Sequence, residues 1–200
     1  MDMTLLPALV AFAFVTSVTP GPNNLMLMAS GANFGLRRTL PHMLGVALGF
    51  VVMAALVGLG LVQVFAALPW LFTLLKIGCV LYLLLLAWKI ANAAAPEGGA
   101  GAGRPMTFLQ AAAFQWVNPK AWAMALTAVT VYAPGQTVAA VLTVAAVFGA
   151  VNLPSVGSWA WLGVQMRRVL TSPARLRAFN LTMAALLVAS LYPLLGSPAM

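Results

Sequence analysis

The chain has 200 residues, of which 63% are apolar and 6% charged, where soluble domains run at about 45–50% and about 25%; its mean hydropathy is +1.01. A globule of this size has more surface than so few charges can cover, which excludes a water-soluble enzyme or nucleic-acid-binding domain. Ten Lys and Arg against Asp2 and Glu97 give a net charge of +8, and they sit in short islands between apolar runs, as in loops beside a membrane.

A helix needs about 20 apolar residues to cross a hydrocarbon core of about 30 Å, so the gaps between charges set the spans. The opening Met1-Asp2-Met3-Thr4 carries no basic residue, so the first apolar run is expected to stay as a span, over residues 4–28, rather than leave as a secretory signal. A second is predicted over residues 40–62. A third opens after Leu68-Pro69 and closes near Trp88-Lys89. The fourth ends at the turn Ala133-Pro134-Gly135, a fifth covers residues 138–162, and the tail from Ala178 supplies a sixth. Arg37 and Arg38 fall in the first connection, Lys89 and Arg104 in the third, and Arg167, Arg168, Arg175 and Arg177 in the fifth. The positive-inside bias then makes those connections cytoplasmic and puts both termini on the periplasmic side. Residues 93–105 form a flexible small-residue linker, so one transmembrane domain, 1–200, divides into three-span halves 1–92 and 106–200.

Two of these spans are interrupted. Thr19-Pro20-Gly21-Pro22-Asn23-Asn24 lies in the middle of the first, where two prolines remove amide hydrogens and clash with preceding carbonyls. Gln115-Trp116-Val117-Asn118-Pro119-Lys120 repeats the device in the fourth. Freed carbonyls are tolerated in a bilayer only where they face protein or a wet cavity. Each half has an odd number of spans, so the second inserts upside down relative to the first. Paired breaks in inverted halves point to a binding site near the midplane. The expected class is therefore an all-α membrane protein of six helices in two inverted three-helix repeats, with helices 1 and 4 broken at Pro.

The same residues resemble a known family. The first break, followed by Ala32-Asn33-Phe34-Gly35-Leu36-Arg37-Arg38-Thr39-Leu40-Pro41-His42, is similar to the N-terminal signature of the LysE/RhtB family of small amino-acid exporters. Phe108-Leu109-Gln110 with Trp116-Val117-Asn118-Pro119-Lys120-Ala121 resembles its second signature. The resemblance spans nearly the whole chain and implies a six-span exporter of amino acids or their derivatives in the bacterial inner membrane, coupled to the proton gradient.

Lys76 and Lys120 are the formal charges inside predicted spans, and a central Lys costs about 2.5–3.5 kcal/mol on insertion scales, so each needs a partner, a cavity or a reach to the interface. Lys120 lies too deep to snorkel easily; Lys76 is closer to an end. For an amino-acid substrate, the carboxylate is served by Lys120, by Lys76 and by the amides opening the half-helices after Pro20-Gly21-Pro22 and Pro119. No Asp or Glu falls in a predicted span, so the ammonium must meet break carbonyls and the amide oxygens of Asn23, Asn24, Asn118, Asn152 and Asn180. That composition suits a neutral amino acid of the threonine, homoserine or leucine type better than a dibasic one.

His42, the single histidine, is the candidate for proton coupling, with an interfacial cap as the alternative. Cys79 is the single cysteine, so no disulfide, Cys-based metal site or other cofactor is expected. Gly45 and Gly49 make a G-x-x-x-G face for close contact, within the chain or in a homodimer. Asn152-Leu153-Pro154 reads equally as a break in the fifth span or a kink, and Trp70, Trp88, Trp159 and Trp161 as an interfacial belt. An intramembrane enzyme lacks its nucleophile, base and carboxylates. An anion-selective or small-solute channel is the remaining rival.

Overall fold

A computed structural model describes residues 3–61, 63, 67–68, 70–93, 104–133, 135 and 137–192. Most of the predicted linker, Pro69, Pro134 and both acidic residues, Asp2 and Glu97, lie outside the described residues. Eight α-helices follow one another: α1 (Leu6–Val18), α2 (Pro22–Phe34), α3 (Leu36–Leu56), α4 (Trp70–Ala91), α5 (Phe108–Val117), α6 (Pro119–Tyr132), α7 (Val138–Met166) and α8 (Pro173–Ala189). Among the described residues, three helical stretches are long and apolar enough to cross a membrane: Leu36–Leu61, Thr73–Ala91 and Val138–Met166.

The helix boundaries follow local chemistry. Thr19 and Asn118 each precede a proline and are held in extended geometry, with ψ of 141° and 109°, because the proline ring disfavours the helical region for its predecessor. Pro22 and Pro119 then open α2 and α6, where a missing amide hydrogen costs nothing. Gly35, at φ 81°, separates α2 from α3 in a single residue. Arg37 and Arg38, expected in a loop, therefore occupy the first turn of α3. A capping box between Thr107 and Gln110 starts α5. Asn152-Leu153-Pro154 does not break its helix: α7 runs through Pro154, and the Ser155 hydroxyl donates to the Val151 carbonyl at 2.8 Å beside the gap.

The exterior is greasy. Leu40, Leu44, Leu48, Val52 and Leu56 are all exposed on α3, one helical turn apart, while Met43, Val46, Phe50 and Met53 are buried. Such a ridge on the outside fits hydrocarbon as its solvent. Inside, the halves interlock: α2 crosses α7, and α3 crosses α5. Both crossings rest on glycine. A Cβ on Gly31 would lie 2.0 Å from the Ala160 carbonyl oxygen, one on Gly163 2.0 Å from that of Met28, and one on Gly45 2.3 Å from that of Phe108. The Gly45-Gly49 face is thus used within the chain, against α5.

Backbone on backbone leaves nothing to yield. Gly163→Ala is expected to lower unfolding stability in detergent by about 1–3 kcal/mol or to prevent folding. Gly78→Ala, whose added carbon would find its first neighbour at 3.8 Å, should be neutral or slightly stabilising. Equal losses for the two would contradict this packing.

Candidate functional site

The chain leaves helical geometry between α1 and α2 at Thr19–Gly21, and between α5 and α6 at Asn118, and the two interruptions face each other. α1 ends with carbonyls that prolines and extended backbone deprive of their amide partners. Side chains supply donors in their place. The Thr19 hydroxyl donates to the Val15 carbonyl at 2.6 Å and lies 3.1 Å from that of Thr16. The Asn24 amide donates to the Ser17 and Thr19 carbonyls, both at 2.8 Å. The Trp159 indole donates to the Val18 carbonyl at 3.0 Å. The Lys120 ammonium donates to the Thr19 carbonyl at 2.6 Å and to that of Pro20 at 3.5 Å. This ammonium stands where the α1 dipole is negative, a favourable end for a cation.

The second break is capped in kind. The Asn118 side chain accepts from the Lys120 amide at 3.1 Å, as an N-cap for α6. The Trp122 indole donates to the Trp116 carbonyl at 2.8 Å. Asn23 and Gln115 join the breaks through reciprocal amide bonds of 2.8 and 3.2 Å, and Gln115 also donates to the Ala111 carbonyl.

Between the breaks lies a cavity of about 30 Å³, walled by Thr16, Ser17, Gly21, Asn23 and Asn24 from one half and by Asn118, Lys120 and Asn152 from the other, with Phe50 and Met124 as apolar lining. Its volume suits a water or two and falls well short of the about 300–1,000 Å³ of ligand pockets; an amino acid enters only if the breaks separate. The polarity is two-ended. The N-termini of α2 and α6 and the Lys120 ammonium supply positive potential, while the α1 carbonyls supply the negative.

Of the residues singled out from sequence, Gly21, Asn23, Asn24, Asn118 and Lys120 line this cavity, and Pro20, Pro22 and Pro119 create its walls. Lys76, half-buried on α4, does not line it. Asn180 is fully buried elsewhere, pairing with Asn33 at 2.9 and 3.3 Å and donating to the Ala93 carbonyl, which ties α8 to α2 and to the end of α4. His42 is buried on α3 with neither ring nitrogen hydrogen-bonded among the described residues; it is no interfacial cap. Two participants carried no sequence signal that singled them out. Gln115 read as part of a motif. Trp159 read as a belt residue but points its indole at α1.

Replacing Asn24 by Leu orphans the buried Ser17 carbonyl. The expected loss is about 1–3 kcal/mol of unfolding free energy in detergent titration. Asn92→Leu, at the exposed end of α4, serves as the control, and a comparable loss there would remove the special role of Asn24.

The family model described as LysE type translocator matches residues 14–190. Curated relatives named cysteine/O-acetylserine efflux protein, from Escherichia coli strains HS and K12 and from Shigella sonnei strain Ss046, are each 31% identical over 197 residues, covering 94% of this chain and 96% of theirs. No solved structure gives a significant match.

Proposed function

Because the chain belongs to the LysE type translocator family, and is thus a transporter rather than an enzyme, we propose that it exports small neutral amino acids or their derivatives across the bacterial inner membrane by alternating access around the break cavity. The observation that carries this reading is the cavity's two-ended polarity: the Lys120 cation and two helix N-termini for a carboxylate, and the α1 carbonyls for an ammonium. Among the described residues there is no Asp or Glu to receive a second cationic group, which favours a zwitterion over a dibasic substrate. The cargo printed in the relatives' names, cysteine and O-acetylserine, also has a small side chain without formal charge. The threonine, homoserine and leucine class extends that range.

In this reading α1 with α2 makes the first span and α5 with α6 the fourth, so the eight helices form six crossings in two inverted halves, residues 1–92 and 106–200 about the linker 93–105. Both termini then face the periplasm, as the basic residues at the α2–α3, α4–α5 and α7–α8 connections favour. Asn118, Asn23, Asn24 and Gly21 orient the substrate. Lys76 and Asn180 act from outside the cavity, by shaping the elements that enclose it. His42 is the candidate proton carrier: its buried ring has no hydrogen-bond partner among the described residues, and movement of α3 against its neighbours would open it to proton exchange.

Counterflow in proteoliposomes tests the proposal. Labelled O-acetylserine or threonine should exchange saturably against its unlabelled form, lysine should not, and Lys120→Ala should slow exchange at low substrate by about tenfold or more, as expected for loss of a charge-assisted contact. An imposed proton gradient should accelerate the wild type but not His42→Gln, which should keep its counterflow. Linear, unsaturable flux would instead identify a pore, and efficient lysine exchange would remove the assigned selectivity.

A further inference from the structure

We propose that the Thr19 and Pro20 carbonyls form the ammonium subsite of the carrier, and that the Lys120 ammonium is its tethered occupant between cargoes, exchanged for the substrate's own ammonium on binding. This rests on reading the cavity as the amino-acid site. It goes further by giving Lys120 two alternating partners instead of one.

The geometry is that of a small ammonium ligand. The Lys120 nitrogen lies 2.6 Å from the Thr19 oxygen and 3.5 Å from that of Pro20. Gly21 makes the approach feasible, since a Cβ there would sit 2.8 Å from the Lys120 Cδ and 3.2 Å from its nitrogen. The Thr19 carbonyl takes a second donor from Asn24, so its lone pairs are fully used. The subsite lies at the rim of the cavity: Thr19 and Pro20 are exposed and do not line it, whereas the half-buried Lys120 and the adjacent Gly21 do. Two ammonium groups cannot share so small a corner without like-charge repulsion. An incoming α-ammonium therefore expels the lysine, and the carboxylate that arrives with it is the new partner the lysine requires. The cavity keeps its net charge in both arrangements.

The consequence concerns the return step. A carrier that unloads must close again with no cargo, and closing over a Pro20 carbonyl without this donor, beside a Thr19 carbonyl left with Asn24 alone, is costly in a low-dielectric setting. The tethered ammonium supplies the missing cap. Without it, exchange of one cargo for another remains available, because every closure then has a substrate ammonium at the corner. Net efflux does not.

The test compares net efflux into substrate-free medium with counterflow at saturating substrate on both sides, in vesicles of the full chain. Their ratio is independent of how much protein is active. Lys120→Met is expected to lower the ratio by about tenfold or more, matching the loss of a charge-assisted hydrogen bond, and Lys120→Arg to keep most of it; propylammonium should raise net efflux by Lys120→Met. A wild-type ratio in Lys120→Met overturns the proposal. If that variant shows no exchange, binding decides. Propylammonium should raise its thermal midpoint by filling the vacated corner and leave the wild type unmoved, and no shift in the variant overturns the proposal. Failure of wild-type exchange would instead overturn the functional reading, with the propylammonium shift still testing the subsite.

Discussion

A carbonyl released by proline inside a bilayer has no water to turn to. Every such group must find a donor within the protein or destabilise the fold by several kcal/mol. In this chain the donors for the end of α1 come partly from α2, through Asn24, and partly from the other half of the sequence, through Lys120 and Trp159. The break in one half is thereby completed by side chains of the other. Satisfying the backbone and joining the halves are a single task, and the polar cavity is its by-product.

That dependence explains how function is lodged in so apolar a sequence. A helix that ends inside the protein leaves partial charges of opposite sign on the two sides of the gap. With two such gaps facing each other, a zwitterion can be met largely by backbone, and few polar side chains are needed to refine the fit. Among the described residues Lys120 is the one charged side chain on the cavity wall. Around this polar centre the glycine crossings of α2 on α7 and α3 on α5 bring backbone against backbone.

Much of this was legible in the residues because proline and charge act locally. Pro20, Pro22 and Pro119 mark the interruptions through their missing amides, and the Arg islands mark the ends of the apolar runs. Long-range pairing was not legible. Nothing in the spacing of Asn180 shows that Asn33, 147 positions away, satisfies its amide, or that the Trp159 indole turns toward α1 instead of lying with the other belt tryptophans. Pro154 is the informative middle case. It carries the same local signal as the other prolines, but with Ser155 bonded to the adjacent carbonyl α7 continues. Pro119 is also a single proline, yet there Asn118 is extended and caps a new helix, so the surrounding partners decide whether one missing amide ends a helix.

The central claim is that an ammonium from one half caps a broken helix of the other. Solid-state magnetic resonance on the chain in lipid bilayers, with lysine side-chain nitrogen and threonine carbonyl carbon isotopically labelled, measures that contact without perturbing it. The expected result is a dipolar cross-peak between the Lys120 ammonium and the Thr19 carbonyl, weakened when saturating amino acid is added. Absence of that cross-peak under both conditions, in protein that transports, would contradict it.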